Sequence, residues 1–336
     1  MTANRAVTVY GAYGHTGRFV VAELHRRGWT PILSGRDTDK LDALGAAHPA
    51  LERRVASIED PASLDRAVDG AAAVINCAGP FLDTAGPVIE AALRMHAHYL
   101  DVTAEQRAVL DAFERHGDAA ASAGIAVLTG MAFYGALADL LATAAKGEWA
   151  AVDAIDIGIA LDGWHPTAGT RRTGERNRYP RLVVTNGRLV PLPDPPPTRH
   201  WDFPAPFGVQ PMVAVPLSET VTISRHVPVR ELHTFINLAP LADLRDPDTP
   251  PPVPGDASGR SNQLFAMDVV VRKGNEVRRR RARGRDIYAI TAPLVAEAVE
   301  RIVDGRRRTS GVTTAGEAFD ASDFLGALAR GHLELD

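Results

Sequence analysis

Short apolar runs alternate with amphipathic stripes along the first 130 residues. Residues 7–10 form an apolar run that ends in glycine, the pattern of a strand buried on both faces. Phe19, Val20 and Leu24 recur at helical spacing, which predicts a helix over 15–27. His25, Arg26 and Arg27 would close it before Gly28, cations at the carbonyl end and a left-handed cap. A strand follows at 31–34, then a helix from about Thr38. Asp60-Pro61 reads as N-cap and first-turn proline of a helix that Gly70 ends. Strands at 72–78, 99–102 and 125–129 and helices at 87–95 and 104–123 complete the series. This β-α-β alternation with short connections predicts a doubly wound parallel sheet.

The period then changes. Ile155, Ile157, Ile159 and Leu161 alternate with less apolar positions, as in a half-buried strand. Asn186-Gly187 between 182–185 and 188–190 is a two-residue hairpin signal. Strands are predicted at 221–224, 231–237, 264–271 and 276–283. Thr291-Ala292-Pro293 opens a helix striped by Leu294, Val295, Ala298, Val299, Ile302 and Val303, and a short helix follows at 322–330. The fold class is therefore α/β: a Rossmann domain over 1–130 plus 290–336, with an α+β, mostly antiparallel second domain inserted at 131–289. Its sheet is a candidate homodimer surface.

Composition sharpens this. Sixteen of the 24 prolines fall between 191 and 254, which predicts long connections at 191–211 and 240–254, either functional covers or mobile segments. The net charge of −4 disfavours general attraction to nucleic-acid phosphates. A single cysteine, Cys77, excludes intrachain disulfides and cysteine-cluster metal sites, and no His/Asp/Glu spacing suggests a metal. Residues 124–145 carry one charge, Asp139, but Gly130 and Gly135 interrupt them; a strand, a turn and an alanine-rich helix are expected, not a membrane span. The start lacks a basic segment leading into a long apolar run, so a cytoplasmic location is expected.

The first strand delivers Gly11-Ala12-Tyr13-Gly14-His15-Thr16-Gly17, a G-x-x-G-x-x-G form of the dinucleotide fingerprint. Small residues are needed because backbone N–H groups approach a pyrophosphate at a helix N-terminus. Glycine-rich turns are common; the strand before and the helix after give this one its weight. The next strand ends Ser34-Gly35-Arg36-Asp37. Arg36 offers a planar fork and Ser34 a hydroxyl to a 2′-phosphate, so NADP(H) is favoured over NAD(H). Asp37 reads as a helix cap, and the alternative for Arg36 is stacking on adenine.

Ile75-Asn76-Cys77-Ala78-Gly79-Pro80-Phe81 comes next, followed by Gly86-Pro87-Val88-Ile89-Glu90-Ala91-Ala92 and His98-Tyr99-Leu100-Asp101-Val102-Thr103-Ala104-Glu105. This ordered set resembles the saccharopine dehydrogenase-like (saccharopine reductase-type) NADP-binding family. Islands continue downstream in Gly169-Thr170, Tyr288-Ala289-Ile290-Thr291-Ala292 and Gly311-Val312-Thr313-Thr314-Ala315-Gly316-Glu317-Ala318. The resemblance implies a Rossmann domain closed by C-terminal helices, with an inserted domain over the nicotinamide. It places Cys77, Ala78, Gly79, Pro80 and Phe81 on the cofactor. It also implies hydride transfer, to imines in lysine-pathway members and to carbon–carbon double bonds in the trans-acting enoyl reductase branch. Thr103-Ala104-Glu105 stands where the family usually has Thr-Gly-Glu, and Phe133 to Asp139 lacks the proline common before that aspartate.

Hydride transfer to a polar double bond needs a held substrate and a proton source. No tyrosine has lysine four residues on, which sets aside the short-chain dehydrogenase pattern. Tyr99, Asp101 and Glu105 fall at a strand's carboxyl end, where such folds open their crevice. Asp101 reads as an acid or donor-orienting group, or equally as a helix N-terminal acid. Tyr134 offers a hydroxyl or plain packing, and His98 a local hydrogen bond. His165, Thr170, Arg171 and Arg172, with Arg176 and Arg178, form a candidate clamp for a substrate carboxylate or phosphate, or else a solvated basic loop. Arg278 to Arg281 reads as a solvated edge strand that discourages aggregation. The expected function is reduction of a C=N or related bond in a small molecule, in amino-acid or secondary metabolism. The alternatives are a trans-acting enoyl reductase and a non-enzymatic NADP(H)-sensing module.

Overall fold

The computed structural model describes residues 5–336. Its first half is the predicted alternation: β1 (Ala6–Tyr10), α1 (His15–Arg26), β2 (Thr30–Gly35), α2 (Thr38–Ala47), β3 (Arg53–Val55), α3 (Pro61–Val68), β4 (Ala73–Asn76), α4 (Phe81–Arg94), β5 (His98–Asp101), α5 (Gln106–Ser122) and β6 (Ala126–Leu128). A π-helical turn, Phe133–Leu137, leads into α6 (Ala138–Lys146). The second half contains β7 (Val152–Leu161), α7 (Ala168–Arg176), β8 (Leu182–Thr185), β9 (Arg188–Pro191), β10 (Thr198–Phe203), β11 (Gly208–Ala214), α8 (Ser218–His226), β12 (Val229–Asn237), α9 (Leu238–Arg245), β13 (Leu264–Lys273) and β14 (Glu276–Arg285). The chain closes with α10 (Thr291–Val303), β15 (Gly311–Thr313), α11 (Ala315–Ala318), α12 (Ala321–Ala329) and β16 (Glu334–Leu335). Among the described residues no helix is long and apolar enough to cross a membrane.

The first sheet is parallel throughout, in the order β15-β6-β5-β4-β1-β2-β3. The order reverses between β1 and β4, which opens a crevice beyond their carboxyl ends. β15 returns 183 residues after β6 to pair with it. Helix α10 lies on α1, where Arg27 joins Glu297 and Glu300, both at 2.8 Å. Gly316 then seats against α6: a Cβ there would strike Asp139 and Thr143, and its N–H donates to Asp139 at 3.0 Å.

The second sheet has nine strands, in the order β10-β11-β12-β7-β13-β14-β16 with the β8–β9 hairpin beside β12. It is mixed, because β12 runs parallel to β7 at its centre. β8 and β11 share the other edge of β12, at Leu232 and at residues 235–237. One continuous core joins the two sheets through α1, α6, α10 and α12.

Four expectations need correction. Residues 221–224 are helical, not a strand. Ser218 to Ile223 are all buried between the sheets, and this packing overrides the strand preference of Val221, Thr222 and Ile223. Residues 191–211 are not one loop: Trp201 and Phe203 turn inward on β10, and β11 pairs with it. Pro211 fits because β11 meets β12 only from Met212 onward, so its missing N–H breaks no ladder bond there. Helix α4 begins six residues earlier than predicted and holds Pro87 inside it; the preceding Gly86, lacking a Cβ, eases the steric restriction a proline imposes. Finally, β14 is an edge strand only in part: β16 pairs with Ala282 and Arg283 and leaves residues 278–280 on the edge.

Candidate active site

The glycine loop joins β1 to α1 at the crevice. Gly11 adopts φ +83° and lies against the end of β4, where its added Cβ would sit 2.9 Å from the Ala78 nitrogen. A Cβ on Gly17 would run into the Gly11 carbonyl oxygen. Both positions therefore require glycine on steric grounds. Gly14 is the N-cap of α1 with no side-chain cap, which leaves first-turn amides for an anion. Tyr13, Gly14, His15 and Thr16 are half-buried at this mouth. The His15 ring lies edge-on to Phe19 and Tyr288, and its buried Nε2 has no hydrogen-bond partner. Burial lowers its pKa, so the ring is neutral.

At the end of β2 the two candidate phosphate ligands part company. Ser34 is fully buried, and its carbonyl accepts from Gly11 N (2.8 Å) and Ala12 N (3.1 Å); its hydroxyl stays inside. Ser34 thus shapes the loop. Arg36 is exposed and, among the described residues, makes no ion pair. The neighbouring acid does not compete for it: Asp37 caps α2 through Lys40 N at 3.1 Å and pairs with the Lys40 ammonium at 2.7 Å. Tyr13 lies across Gly35, where a Cβ would be 2.5 Å from its ring, and its hydroxyl accepts from Asp37 N at 3.2 Å. A flat ring beside a free guanidinium suits an adenosine carrying a 2′-phosphate.

The ends of β4, β5 and β6 are tied together by a closed network. The Tyr99 hydroxyl donates to Asp101 Oδ2 (3.0 Å) and receives from Asn76 Nδ2 (3.3 Å). Asp101 Oδ1 accepts from Gly130 N (2.8 Å) and Thr103 N (3.0 Å). Asn76 also donates to Thr84 and accepts from Ala78 N. All of these side chains are buried, Tyr99 and Asp101 completely. Burial raises the Asp101 pKa against the lowering effect of the two amides, and it raises Tyr99 further. Both predicted catalytic groups therefore lie within the wall, with their oxygens engaged. Cys77, Ala78, Gly79 and Pro80 are half-buried along the crevice, whereas Phe81 turns inward. Burial and then Asp101 push the Cys77 thiol up, so it is not a reactive thiolate. Glu105 accepts from Phe81 N (2.8 Å) and Leu82 N (3.3 Å), capping α4, and burial raises its pKa to about 7.

The second domain supplies the facing wall. Helix α7 crosses the crevice: Thr173 approaches Gly79, where an added Cβ would lie 2.8 Å from its hydroxyl, and Arg176 pairs with Asp83 at 2.8 Å. The Tyr288 hydroxyl receives from Trp164 Nε1 (3.1 Å) and bonds Thr170 (3.0 Å). Trp164 in turn stacks on Tyr134 at 5.8 Å. Tyr134 is buried, its hydroxyl has no partner, and burial keeps the phenol protonated.

Of the predicted clamp, Thr170 and His165 meet at the Tyr288 hydroxyl and His165 and Arg171 at residues 246–250, while Arg172 and Arg178 stay exposed. Arg171 donates to the carbonyls of Asp246 and Thr249, His165 meets the Pro250 carbonyl at 3.2 Å, and Arg172 is exposed. Nearby, the Arg181 guanidinium donates to Pro216 O at 2.9 Å, the one hydrogen bond it makes among the described residues. The residue as a whole is exposed, but desolvation of its head group lowers its pKa, against the raising effect of Glu219 and Tyr134. Its place is fixed by Leu182, whose backbone exchanges two hydrogen bonds with Gln106 at the start of α5. The Ser218 hydroxyl donates to Thr103 O at 3.1 Å, joining the same strand ends. Sequence reading missed Arg181, Ser218 and Glu219, because a lone arginine after Pro180 has no motif. Tyr288 lay within a recognised island.

Residues 7–128 match the saccharopine dehydrogenase NADP-binding domain. Over that segment the chain is similar to saccharopine dehydrogenases. Residues 7–128 thus form its NADP-binding domain, which agrees with the free Arg36. A human saccharopine dehydrogenase-like oxidoreductase is 29% identical over 224 residues, covering 58% of this chain and 52% of its own length. The bovine protein of the same name is 29% identical over 152 residues, covering 40% of this chain and 35% of its own. The match thus spans about half, or less, of these relatives' length. The fold of saccharopine dehydrogenase (L-Glu forming) from Saccharomyces cerevisiae aligns over 99% of both chains, with a TM-score of 0.67 at 12% identity. The chain therefore shares that fold.

Proposed function

We propose that this chain is an NADPH-dependent oxidoreductase that reduces a C=N or related unsaturated bond in a small anionic substrate. The observation that carries this reading is convergence. The glycine loop, the exposed Arg36 and the half-buried 77–80 segment border one crevice, and the second domain roofs it with Thr173, Tyr288 and Arg181. When bound, NADPH supplies the hydride. The first-turn amides of α1 hold its pyrophosphate, Tyr13 and Arg36 hold the phosphorylated adenosine, and 77–80 border the nicotinamide side. Arg181 anchors the substrate's anionic group, since its guanidinium keeps donors unused after the single bond to Pro216. Tyr134 places an unengaged, protonated hydroxyl behind it as a hydrogen-bond donor. Asp101 and Tyr99 act as positioning residues that hold the strand ends.

A charged wall favours a polar C=N substrate over the long apolar chain of an enoyl substrate, because an aliphatic group would leave Arg181 desolvated and unpaired. NADPH consumption should therefore proceed with imines formed from oxo acids and amines, and be slower with neutral enones. Arg181→Ala should raise KM for the acid-derived imine about tenfold, with a smaller change in kcat. Equal turnover of neutral enones, or no effect of Arg181→Ala, would contradict the reading.

A further inference from the structure

A groove of about 750 Å³ in the second domain lies away from the crevice, between the β8–β9 hairpin, the end of α8 and the start of β12. Its floor is aliphatic: Val152, Val184, Leu189, Val227 and Val229. Around it stand Arg188, Arg225, Arg230 and Lys273, all exposed and, among the described residues, without an ion pair. Elsewhere the molecule pairs its cations readily; the residue next to Lys273, Arg272, is joined to Asp156. Two of the four are held in place without losing charge. The Arg225 guanidinium lies 4.5 Å over the Phe113 ring, and the Lys273 ammonium 5.9 Å from the centre of Trp149. A ring face orients a cation but leaves its charge available to an anion.

The nearby acids are committed to turns. Asp153, the one acid lining the groove, accepts from Gly274 N at 2.7 Å, and Glu231, beside it on β12, accepts from Asn186 N at 3.0 Å. Four cations against the single carboxylate of Asp153 leave the groove net positive, and with its aliphatic floor it complements an anionic head group on an apolar body. The volume falls within the range of small-molecule sites, roughly 300–1,000 Å³. We propose that this groove binds a small amphiphilic anion, an aliphatic or aryl group bearing a carboxylate, sulfonate or phosphate, at a site separate from the cofactor crevice.

Fluorescence titration with anilinonaphthalene sulfonate, on protein saturated with NADPH so that the crevice is filled, tests this directly. Saturable one-to-one binding is expected, with displacement by decanoate but not by inorganic phosphate at the same concentration. The exposed-residue variant Arg188→Glu/Arg230→Glu should weaken the dye at least about tenfold while NADPH binding is unchanged. Leu189→Gln should weaken dye and decanoate alike. Non-saturable dye binding, an affinity indifferent to the charge reversals, or displacement by phosphate as effective as by decanoate would overturn the proposal. Failure of NADPH to bind would count against the reading of the crevice and not against the groove, which a titration without nucleotide would still test.

Discussion

Strands β1, β2, β4 and β6 of the parallel sheet carry no charged side chain, and β5 carries its one acid, Asp101, as its last residue. In the mixed sheet, acids sit mid-strand. Asp156 on β7 meets Arg272 and Arg199, and Asp268 on β13 receives from Trp201 at 2.9 Å and from Arg279. The contrast follows from what covers each sheet. Helices bury both faces of the parallel sheet, so polar chemistry is pushed to the strand ends, where the crevice opens. One face of the mixed sheet carries only the smaller cluster around Trp201 and Phe203, and the acids on it keep cross-strand arginine partners, Asp156 partly exposed and Asp268 buried. Asp101 therefore holds a site together, whereas Asp156 decorates a surface.

Substituting each acid breaks this comparison most forcefully. Asp101→Ala leaves Gly130 N, Thr103 N and the Tyr99 hydroxyl without their acceptor in a fully buried wall. It should lower unfolding free energy by roughly 3–5 kcal/mol, whereas Asp156→Ala, at a partly exposed pair, should cost about 1 kcal/mol or less. Denaturant unfolding of the two variants measures the difference; equal losses would remove the distinction.

Gly17→Val is expected to weaken NADPH roughly 100-fold, about 3 kcal/mol, because the new side chain enters the space of the Gly11 carbonyl. In the mixed sheet, Gly274→Ala at a turn where a Cβ meets nothing within 4 Å should leave NADPH affinity unchanged, though its φ of +55° will cost some stability. Nucleotide titration of both variants tests whether steric need is confined to the crevice.

A smaller effect concerns pH. The Glu105 carboxyl titrates near 7 when folded, against an ordinary 4.5. The folded protein holds this proton where the unfolded chain releases it, so this group's contribution to stability falls as pH rises from about 4.5 to about 7 and is constant beyond. Glu105→Gln keeps one acceptor for Phe81 N and should flatten that part of the profile. A Tm series across this range, with an unchanged slope in the variant, would show that the cap does not carry the proton.

Much of this was legible in the sequence because it depends on local chemistry. The glycines at 11 and 17, the Asp37 and Asp60 caps, and the Asn186-Gly187 turn each answer to a backbone requirement within a few residues. The roles of Asp101 and Tyr99 were not legible. Their position at a strand end was read, but whether an acid faces the crevice or its neighbours depends on Gly130, 29 residues on. The arginine clamp failed for a related reason. Arg171 and Arg176 are claimed by carbonyls and an acid distant in sequence. The Arg278 to Arg281 run divides between faces, Arg279 on Asp268 and Arg278 3.7 Å over Trp149. The partners of both lie on other elements.

The central claim is that the crevice at the end of the parallel sheet takes NADP(H), with Arg36 reading the 2′-phosphate. Titrating NADPH and NADH into the wild-type protein and into Arg36→Ala tests it most directly. The structure predicts at least about tenfold tighter binding of NADPH by the wild type, a preference lost in Arg36→Ala with NADH affinity nearly unchanged. Equal affinity for the two nucleotides in the wild type, or a variant that weakens both alike, would contradict it.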